Sequence, residues 1–270
     1  MSHFKYRLAA FDLDGTLIDT DLQISSRLLQ DVELAQQCGL ILTIATGRDA
    51  KLTARFAREL DMTAPIICAQ GGLIYDFLQD HTLHDVRLPR QILSRVISAA
   101  VKHGWNIHFE MADRSYFPAN SNHPPIIFEL LRYSHWSRLD NLLDDLPETP
   151  HKFLITLNNP QDRSKVMEEL LNEFDGQLRI VPSHPYLIEG VALNVSKASG
   201  LAWLASYFNI PQNEVMAVGD NDNDVPMLEW AGLGIAVGNA SELAIAAADW
   251  IAPPVSQDGA AVAIEKYLLC

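Results

Sequence analysis

The sequence predicts an α/β fold, in which a Rossmann-like core domain with a parallel sheet is interrupted by a smaller α+β domain. Near the amino end, short apolar runs alternate with segments of helical periodicity, which is the pattern of a parallel sheet with crossover helices. In the middle of the chain, closely spaced short strands replace this alternation. The alternation then returns before the carboxyl end, so we expect the core domain to be discontinuous.

The first segment begins with a strand and continues with helices and strands in turn. Residues 6–11 form a short apolar run that is typical of a buried strand. Helical spacing of apolar residues then predicts a helix that Ser25 or Ser26 caps and that Gly39 ends. The next predicted elements are a strand at 40–45, a helix at 49–60, a strand at 65–69 and an apolar run at 73–75.

The pattern changes near residue 82. Residues 83–86 are typical of a strand, and Pro89 begins a helix that Gly104 ends. Prolines interrupt residues 118–150, where the sequence predicts no more than one or two helices. The remaining predicted elements here are strands at 106–110, 115–117, 151–157 and 178–181 and a helix at 161–174. We expect residues 84–186 to form an α+β domain inserted between residues 1–83 and 187–270.

From residue 187 onward the first pattern returns. An apolar run at 187–195 predicts a strand that leads to Lys197. Ser241 is placed to cap a later helix. The other predicted elements are a helix at 199–208, a strand at 214–218, a short helix at 225–230, a strand at 234–237 and a final helix at 259–269.

Composition excludes several classes of function. The formal net charge of −14 argues against a nucleic-acid-binding protein, which would carry a basic face. No apolar run approaches about 18 residues, so we expect no membrane span. Three cysteines, Cys38, Cys68 and Cys270, lack CxxC spacing and are typical of reduced thiols. The sequence therefore predicts a soluble cytoplasmic protein that binds neither nucleic acid nor membrane, with no obligate protein partner evident.

Polar motifs follow the predicted strands. Asp12 and Asp14 come directly after the first strand, and residues i and i+2 of an extended segment point the same way. Two carboxylates this close repel unless a cation lies between them, so they indicate a metal site, an acid/base pair or both. An Asp-Gly turn is the alternative that this motif alone leaves open. The other motifs are Thr46-Gly47-Arg48, Lys197 and residues 220–224.

These motifs should meet at one edge of the sheet, because ligands of open α/β sheets bind at the carboxyl ends of the strands. Asp12, Asp14 and Asp220 would supply hard oxygen ligands, which suit Mg²⁺. Thr46 offers a hydroxyl, and Lys197 offers a point charge for a phosphoryl oxygen. The sequence therefore favours phosphoryl transfer, in which positioning and charge neutralisation do most of the work.

In these motifs the chain resembles the haloacid dehalogenase-like (HAD) phosphatases of the Cof type. The resemblance rests on four motifs in order: Asp12-Leu13-Asp14-Gly15-Thr16, Thr46, Lys197 and Gly219-Asp220-x-x-Asn223-Asp224. It covers essentially the whole α/β portion, and the inserted domain resembles the α+β cap of this subgroup. The resemblance implies a phosphatase that hydrolyses small phosphorylated metabolites, with sugar phosphates expected first.

The resemblance also implies a role for each motif. Asp12 would attack phosphorus and form an aspartyl-phosphate, and Asp14 would act as the general acid and base. The resemblance also implies that Mg²⁺ is bound by Asp12, by the backbone carbonyl of Asp14 and by Asp220. Asp224 would support these ligands without binding the ion itself. The substrate-binding residues would be Thr46, Gly47, Arg48, Lys197 and Asn223.

The resemblance is not complete, and it does not exclude related functions. Gln70-Gly71-Gly72 stands where the family often has Asn-Gly, and Asn221-Asp222 fills the middle of the fourth motif. The closest alternative is a phosphomutase or other phosphotransferase built on the same core. A phospho-accepting signalling protein without turnover is a more distant alternative, because such receivers are about half this length and lack an inserted domain.

Overall fold

The computed structural model describes residues 4–131 and 134–269. In chain order its first half contains β1 (Leu8–Phe11), α1 (Ser26–Gln37), β2 (Ile41–Ile44), α2 (Ala50–Glu59), β3 (Ile66–Cys68), β4 (Leu73–Asp76), β5 (His81–Asp85), α3 (Arg90–His103), β6 (Asn106–Glu110), β7 (Arg114–Pro118), α4 (Ile126–Leu130) and β8 (His135–Leu139). Its second half contains β9 (Lys152–Thr156), α5 (Arg163–Phe174), β10 (Leu178–His184), β11 (Leu187–Ala192), α6 (Lys197–Tyr207), β12 (Val215–Gly219), α7 (Val225–Trp230), β13 (Leu233–Ala236), α8 (Glu242–Ala247), β14 (Trp250–Ile251) and α9 (Gly259–Tyr267).

The first compact unit contains the described residues up to 48, residues 53–84 and those from 196 onward. Its main sheet has the strand order β14-β13-β12-β1-β2, and every pairing in it is parallel. A parallel bridge between Ala45 and Ile67 brings β3 beside β2, and β3 then begins a smaller sheet of order β3-β4-β5. The carboxyl ends of β2, β1 and β12 therefore lie side by side.

Local sequence explains the elements of this unit. All four residues of β1 are buried, as expected for a central strand that is covered on both faces. Helix α1 begins after Ser25, whose hydroxyl accepts a hydrogen bond from the backbone N–H of Leu28 at 3.1 Å. The core includes apolar side chains from the strands and from α6, α7 and α8, among them Leu8, Val215, Ala217, Leu201, Leu204, Met227, Leu228 and Ala244.

The second compact unit contains residues 49–52 and 85–195. Its sheet has the order β10-β11-β9-β6-β7-β8, with antiparallel pairing except between β7 and β8. Strands and helices α3 and α5 share a core that includes Ile92, Val96, Phe109, Phe153, Ile155, Leu170, Phe174 and Ile188. Alternate residues of the same strands lie on the other face of the sheet, because side chains alternate along a strand.

Charged side chains are buried on that other face. Lys152 lies 3.1 Å from a carboxylate oxygen of Glu110 and 2.8 Å from one of Glu189, and all three residues are buried. Burial raises the pKa of Glu110 to about 7, although Lys152 opposes the shift. Two histidines of this unit, His108 and His123, are also buried, and His108 stacks on Phe117 at a centroid distance of 4.4 Å.

The observed architecture confirms the predicted fold class, a Rossmann-like parallel sheet with an inserted α+β section. It differs from the expected domain boundary at residues 187–195, which the sequence assigns to the first domain. In the structure β11 pairs with β9 and β10 in the second sheet. An apolar run identifies a buried strand but not the sheet that it joins. Residues 118–150, left without strands by the sequence, contain β8 as well as α4.

Two further expectations concern cellular context. Within the described residues, no helix combines the length and the apolar character that crossing a bilayer requires. No disulfide joins Cys38, which is exposed, to Cys68, which is buried. Cys270, the third cysteine, lies outside the described residues. The cytoplasmic location stays a prediction.

Candidate active site

Three adjacent strands place the predicted motifs next to one another. Asp12 follows β1 directly, Asp220 follows β12, and Thr46 lies two residues beyond β2. The backbone N–H of Asp12 donates a hydrogen bond to the carbonyl of Val218 at 2.8 Å, so the pairing of β1 with β12 extends as far as Asp12. The predicted meeting of the first, second and fourth motifs at one edge of the parallel sheet is therefore what the structure shows.

A glycine lets the first motif approach the fourth. Gly15 has a φ of +83°, and a Cβ atom there would lie 2.3 Å from Oδ2 of Asp220. Any side chain at this position would strain the backbone and displace that carboxylate. Thr16 is buried beside the same group, with its hydroxyl 3.4 Å from Oδ1 of Asp220. Asn239 holds the loop from another side by donating a hydrogen bond to the carbonyl of Gly15 at 2.8 Å.

The side chain of Lys197 reaches Asp12 and Asp224 from the start of helix α6. Ser196 caps the helix, and its hydroxyl accepts a hydrogen bond from the backbone N–H of Ser199 at 3.1 Å. Lys197 is therefore the first residue of the helix, two residues before the start that the sequence predicts. Its side chain is fully buried and forms ion pairs with Asp12 and with Asp224, the latter at 2.5 Å. The sequence expected a strand to deliver Lys197, whereas a capped helix start does so.

Asp224 is held in place through both of its carboxylate oxygens. It is completely buried, and its Oδ1 atom contacts Lys197. Its Oδ2 atom accepts hydrogen bonds from the backbone N–H groups of Asp220 and Asn221, each at 3.0 Å. Gly219 allows this close approach, since a Cβ atom there would lie 2.6 Å from the Cβ of Asp224. Both carboxylate oxygens of Asp224 are thus engaged by the protein, and its place behind the metal ligands stays a prediction.

Asp12, Lys197, Asp220 and Asp224 form a charged cluster in which negative groups outnumber positive ones. Asp12, Asp220 and Asp224 each place a carboxylate oxygen within 4.8 Å of the others. Burial raises the pKa of the Asp12 carboxyl well above its usual range, and Lys197 offsets only part of that effect. Burial also raises the pKa of Asp220 to about 7, and the charge of Asp224 adds to the shift. One buried ammonium therefore faces three carboxyl groups.

This arrangement fits a divalent cation. Crowded buried carboxylates are stabilised in their ionised form when a cation lies between them. Because Asp224 is engaged on both oxygens, Asp12 and Asp220 are the carboxylates best placed to ligate such an ion. An oxygen-only donor set suits a hard cation such as Mg²⁺. The residues present are thus consistent with the metal site that the sequence predicts.

Asp14 and Arg48 form a bidentate ion pair. Nε and Nη2 of Arg48 each donate to a different carboxylate oxygen of Asp14, both at 2.6 Å. The side chain of Asp14 is 46% exposed, so this pair lies at the open side of the cluster. Sequence reasoning assigned Arg48 to substrate and Asp14 to proton transfer, and it did not foresee that the two would contact each other.

The remaining predicted residues lie in neighbouring loops. Thr46 is buried, and its hydroxyl accepts a hydrogen bond from the backbone N–H of Arg48 at 3.2 Å, with Gly47 between them. Asn223 donates its side-chain amide to Oε1 of Gln70 at 3.1 Å. Gln70 is thus part of the site, although the sequence singled it out only as a departure from the family pattern. Its signal was its position two residues after the end of β3.

Proteins of known family resemble the chain over nearly its whole length. The model of the haloacid dehalogenase-like hydrolases matches residues 9–264. The 5-amino-6-(5-phospho-D-ribitylamino)uracil phosphatase YitU of Bacillus subtilis is 27% identical over 267 residues, which cover 96% of this chain and 97% of that protein. The HMP-PP phosphatase of Yersinia pseudotuberculosis is 27% identical over 236 residues, covering 87% and 85%. A haloacid dehalogenase-like hydrolase from Bacteroides thetaiotaomicron has a similar solved structure, with a TM-score of 0.86, 29% identity and coverage of 97% and 99%.

Proposed function

We propose that this chain, which belongs to the haloacid dehalogenase-like hydrolase family and is a phosphatase of that family, hydrolyses small phosphorylated metabolites through an aspartyl-phosphate on Asp12. The observation that carries the proposal is the buried contact of Asp12 and Asp224 with Lys197, beside Asp220. A carboxylate attacks an anionic phosphoryl group only where positive charge offsets the repulsion, and Lys197 together with a bound cation would supply that charge.

In the proposed first step a carboxylate oxygen of Asp12 bonds to phosphorus while the bond to the leaving oxygen breaks. The leaving oxygen takes a proton from Asp14, and in the second step Asp14 removes a proton from the water that hydrolyses the aspartyl-phosphate. Lys197 orients Asp12, and Thr46, Gly47 and Asn223 are proposed to hold the phosphoryl oxygens. Arg48 is proposed to exchange its contact with Asp14 for a substrate oxygen during the cycle.

Mg²⁺ is the proposed cofactor, held by Asp12, by Asp220 and by the carbonyl of Asp14. When bound, it would supply positive charge to the phosphoryl oxygens and to the attacking carboxylate. Asp224 would hold the neighbouring backbone in place, as its two hydrogen bonds from N–H groups suggest. The cytoplasm, as the composition predicts, is the proposed location.

The metal requirement should depend on pH. Chelation of the metal should stop hydrolysis. As the pH rises, the apparent dissociation constant for Mg²⁺ should fall by up to about tenfold per pH unit until the pH passes the Asp220 pKa of about 7. The reason is competition, because the carboxyl must lose its proton before it can bind the cation. Titrations of activity and of melting temperature with Mg²⁺, on both sides of neutral pH, measure this. Activity that survives complete chelation would contradict the proposed cofactor.

Replacement of Asp14 by asparagine should lower kcat by roughly 10²- to 10⁴-fold, because both proton transfers lose their group. The loss in kcat/KM, which reports the phosphorylation step alone, should be greater for an alkyl phosphate than for p-nitrophenyl phosphate, since a phenolate leaves without needing a proton. The exposed Asp19 provides the control, and Asp19→Asn should behave as the wild type. An equal loss in kcat/KM for both leaving groups would remove Asp14 as the general acid.

The substrate is proposed to be a sugar phosphate or a related small phosphate ester. Two relatives support a small phosphorylated substrate and differ in its identity: YitU acts on a phosphorylated ribityl compound, and the Yersinia relative acts on HMP-PP. A panel of phosphorylated sugars, nucleotides, flavin and pyridoxal phosphates, assayed for phosphate release, tests this proposal. Multiple turnovers with water as the acceptor would distinguish a phosphatase from a phosphomutase. Release limited to one phosphate per chain would overturn the enzyme activity itself.

A further inference from the structure

The loop after β3 has an unusual backbone. Ala69, Gln70 and Gly71 have positive φ values in succession, of 50°, 61° and 99°. Residues other than glycine rarely adopt this left-handed conformation, and where they do the surrounding structure must enforce it. Such strain is common at functional sites. Two consecutive non-glycine residues in this conformation therefore mark the loop as one whose shape is fixed by its neighbours.

The neighbours that fix this loop are the segments that carry the phosphatase motifs. The backbone N–H of Gln70 donates to the carbonyl of Thr46, and that of Ala69 donates to the carbonyl of Arg48, both at 3.1 Å. On another side, a Cβ atom on Gly71 would lie 2.0 Å from the carbonyl oxygen of Ser196, the residue that caps α6. The loop is thus fixed between the second motif and the helix that begins with Lys197.

The side chain of Gln70 is buried without all of its hydrogen bonds. The residue is 2% exposed, and its Oε1 atom accepts a hydrogen bond from Nδ2 of Asn223. Its Nε2 atom has no partner among the described residues, and neither does Oδ1 of Asn223. Buried polar groups in native proteins almost always find partners, so an orphaned donor in a binding site calls for a ligand that accepts.

We propose that Gln70 is a further substrate-binding residue, whose Nε2 group donates a hydrogen bond to a non-bridging oxygen of the phosphoryl group. This inference rests on the proposed function, because it assigns a contact within the same site. Non-bridging phosphoryl oxygens only accept hydrogen bonds. The side chain of Gln70 contacts Asn223 and its backbone N–H contacts Thr46, and both of these residues are proposed to hold the phosphoryl group. A neutral amide also adds a donor without adding charge.

Two substitutions separate this contact from a structural role. Gln70→Glu is isosteric and keeps the oxygen that accepts from Asn223, but it loses the donor and adds negative charge. Gln70→Met keeps the length and loses both hydrogen-bonding groups. We expect Gln70→Met to weaken competitive inhibition by inorganic phosphate, and to lower kcat/KM for p-nitrophenyl phosphate, by roughly 10- to 100-fold, with a larger loss for Gln70→Glu.

The exposed Gln79 of the same unit provides the matched control, and Gln79→Glu and Gln79→Met should stay within about twofold of wild type. Half-saturation by Mg²⁺ should not change in Gln70→Met, because the proposed contact is with phosphate and this variant adds no charge. Unchanged inhibition by phosphate in either folded Gln70 variant would overturn the inference. A wild-type protein that hydrolyses no phosphate ester would instead overturn the proposed function, so the two failures are distinguishable.

Discussion

Replacement of Asp12 by asparagine should lower kcat by at least roughly 10⁴-fold while leaving the fold intact. The amide has nearly the shape of the carboxylate, so β1 and the contact with Lys197 should persist. It is a far weaker nucleophile, and no other carboxylate of the site is proposed to attack phosphorus. Steady-state release of phosphate from the best substrate of the panel gives the magnitude, and far-UV circular dichroism with the melting temperature checks the fold.

The nucleophile assignment has a direct chemical test. Acid-quenched wild-type protein should carry a phosphoryl group on the peptide that contains Asp12, as peptide mass spectrometry would detect, and the Asp12→Asn variant should carry none. The exposed Asp21 provides the matched control, because Asp21→Asn makes the same chemical change outside the cluster. Substantial turnover by Asp12→Asn, or a phosphoryl group found on a different residue, would sink the assignment.

Replacement of Lys197 by methionine should affect activity and stability together. The methionine fits the buried space but leaves Asp12 and Asp224 without their shared cation. Removing one partner of a buried ion pair costs about 3–5 kcal/mol of unfolding free energy, because the other charge stays buried and unpaired. We expect kcat to fall by at least roughly 10²-fold as well, since a charge that faces the phosphoryl group is lost. Denaturant unfolding and steady-state kinetics measure the two effects.

The stability effect of Lys197→Met should depend on pH. The pKa of Asp12 is raised by burial, and loss of Lys197 raises it further because that ammonium lowers it. The folded variant therefore binds more protons than the folded wild type at pH values between their two Asp12 pKa values, so its stability deficit should shrink as the pH falls and its Asp12 becomes neutral. Lys165, whose side chain is 77% exposed, provides the control, and Lys165→Met should change stability by less than about 0.5 kcal/mol. A deficit that is the same at every pH would contradict this account.

Local patterns were sufficient for most secondary-structure elements. Helix α3 begins after Pro89 and ends at Gly104, which adopts a left-handed conformation, as the proline and glycine signals predict. The strands of the parallel sheet are apolar throughout because both faces are covered, and such runs are easy to recognise. Strand β8 was missed because its residues are mostly exposed or half-buried, which leaves no apolar run to detect.

Pairing between distant segments was harder to predict. The run that contains β11 was correctly predicted to be a strand, but it joins the second sheet. Strand partners are chosen by backbone hydrogen bonds and by packing across the whole fold, and neither is encoded in a short window. The same limit applies to Asp14 and Arg48, because an ion pair between residues that lie 34 positions apart depends on how two loops approach each other.

The sequence by itself determined the fold class, the order of four polar motifs and the chemistry that their side chains can support. It did so because strands, helix caps and motif residues are local properties of the chain. Only the tertiary structure decided that Lys197 is fully buried between Asp12 and Asp224, that Gly15 must lack a side chain beside Asp220, and that Gln70 contacts Asn223. These facts depend on desolvation and on distances between loops, which arise only when separate strands and helices pack together.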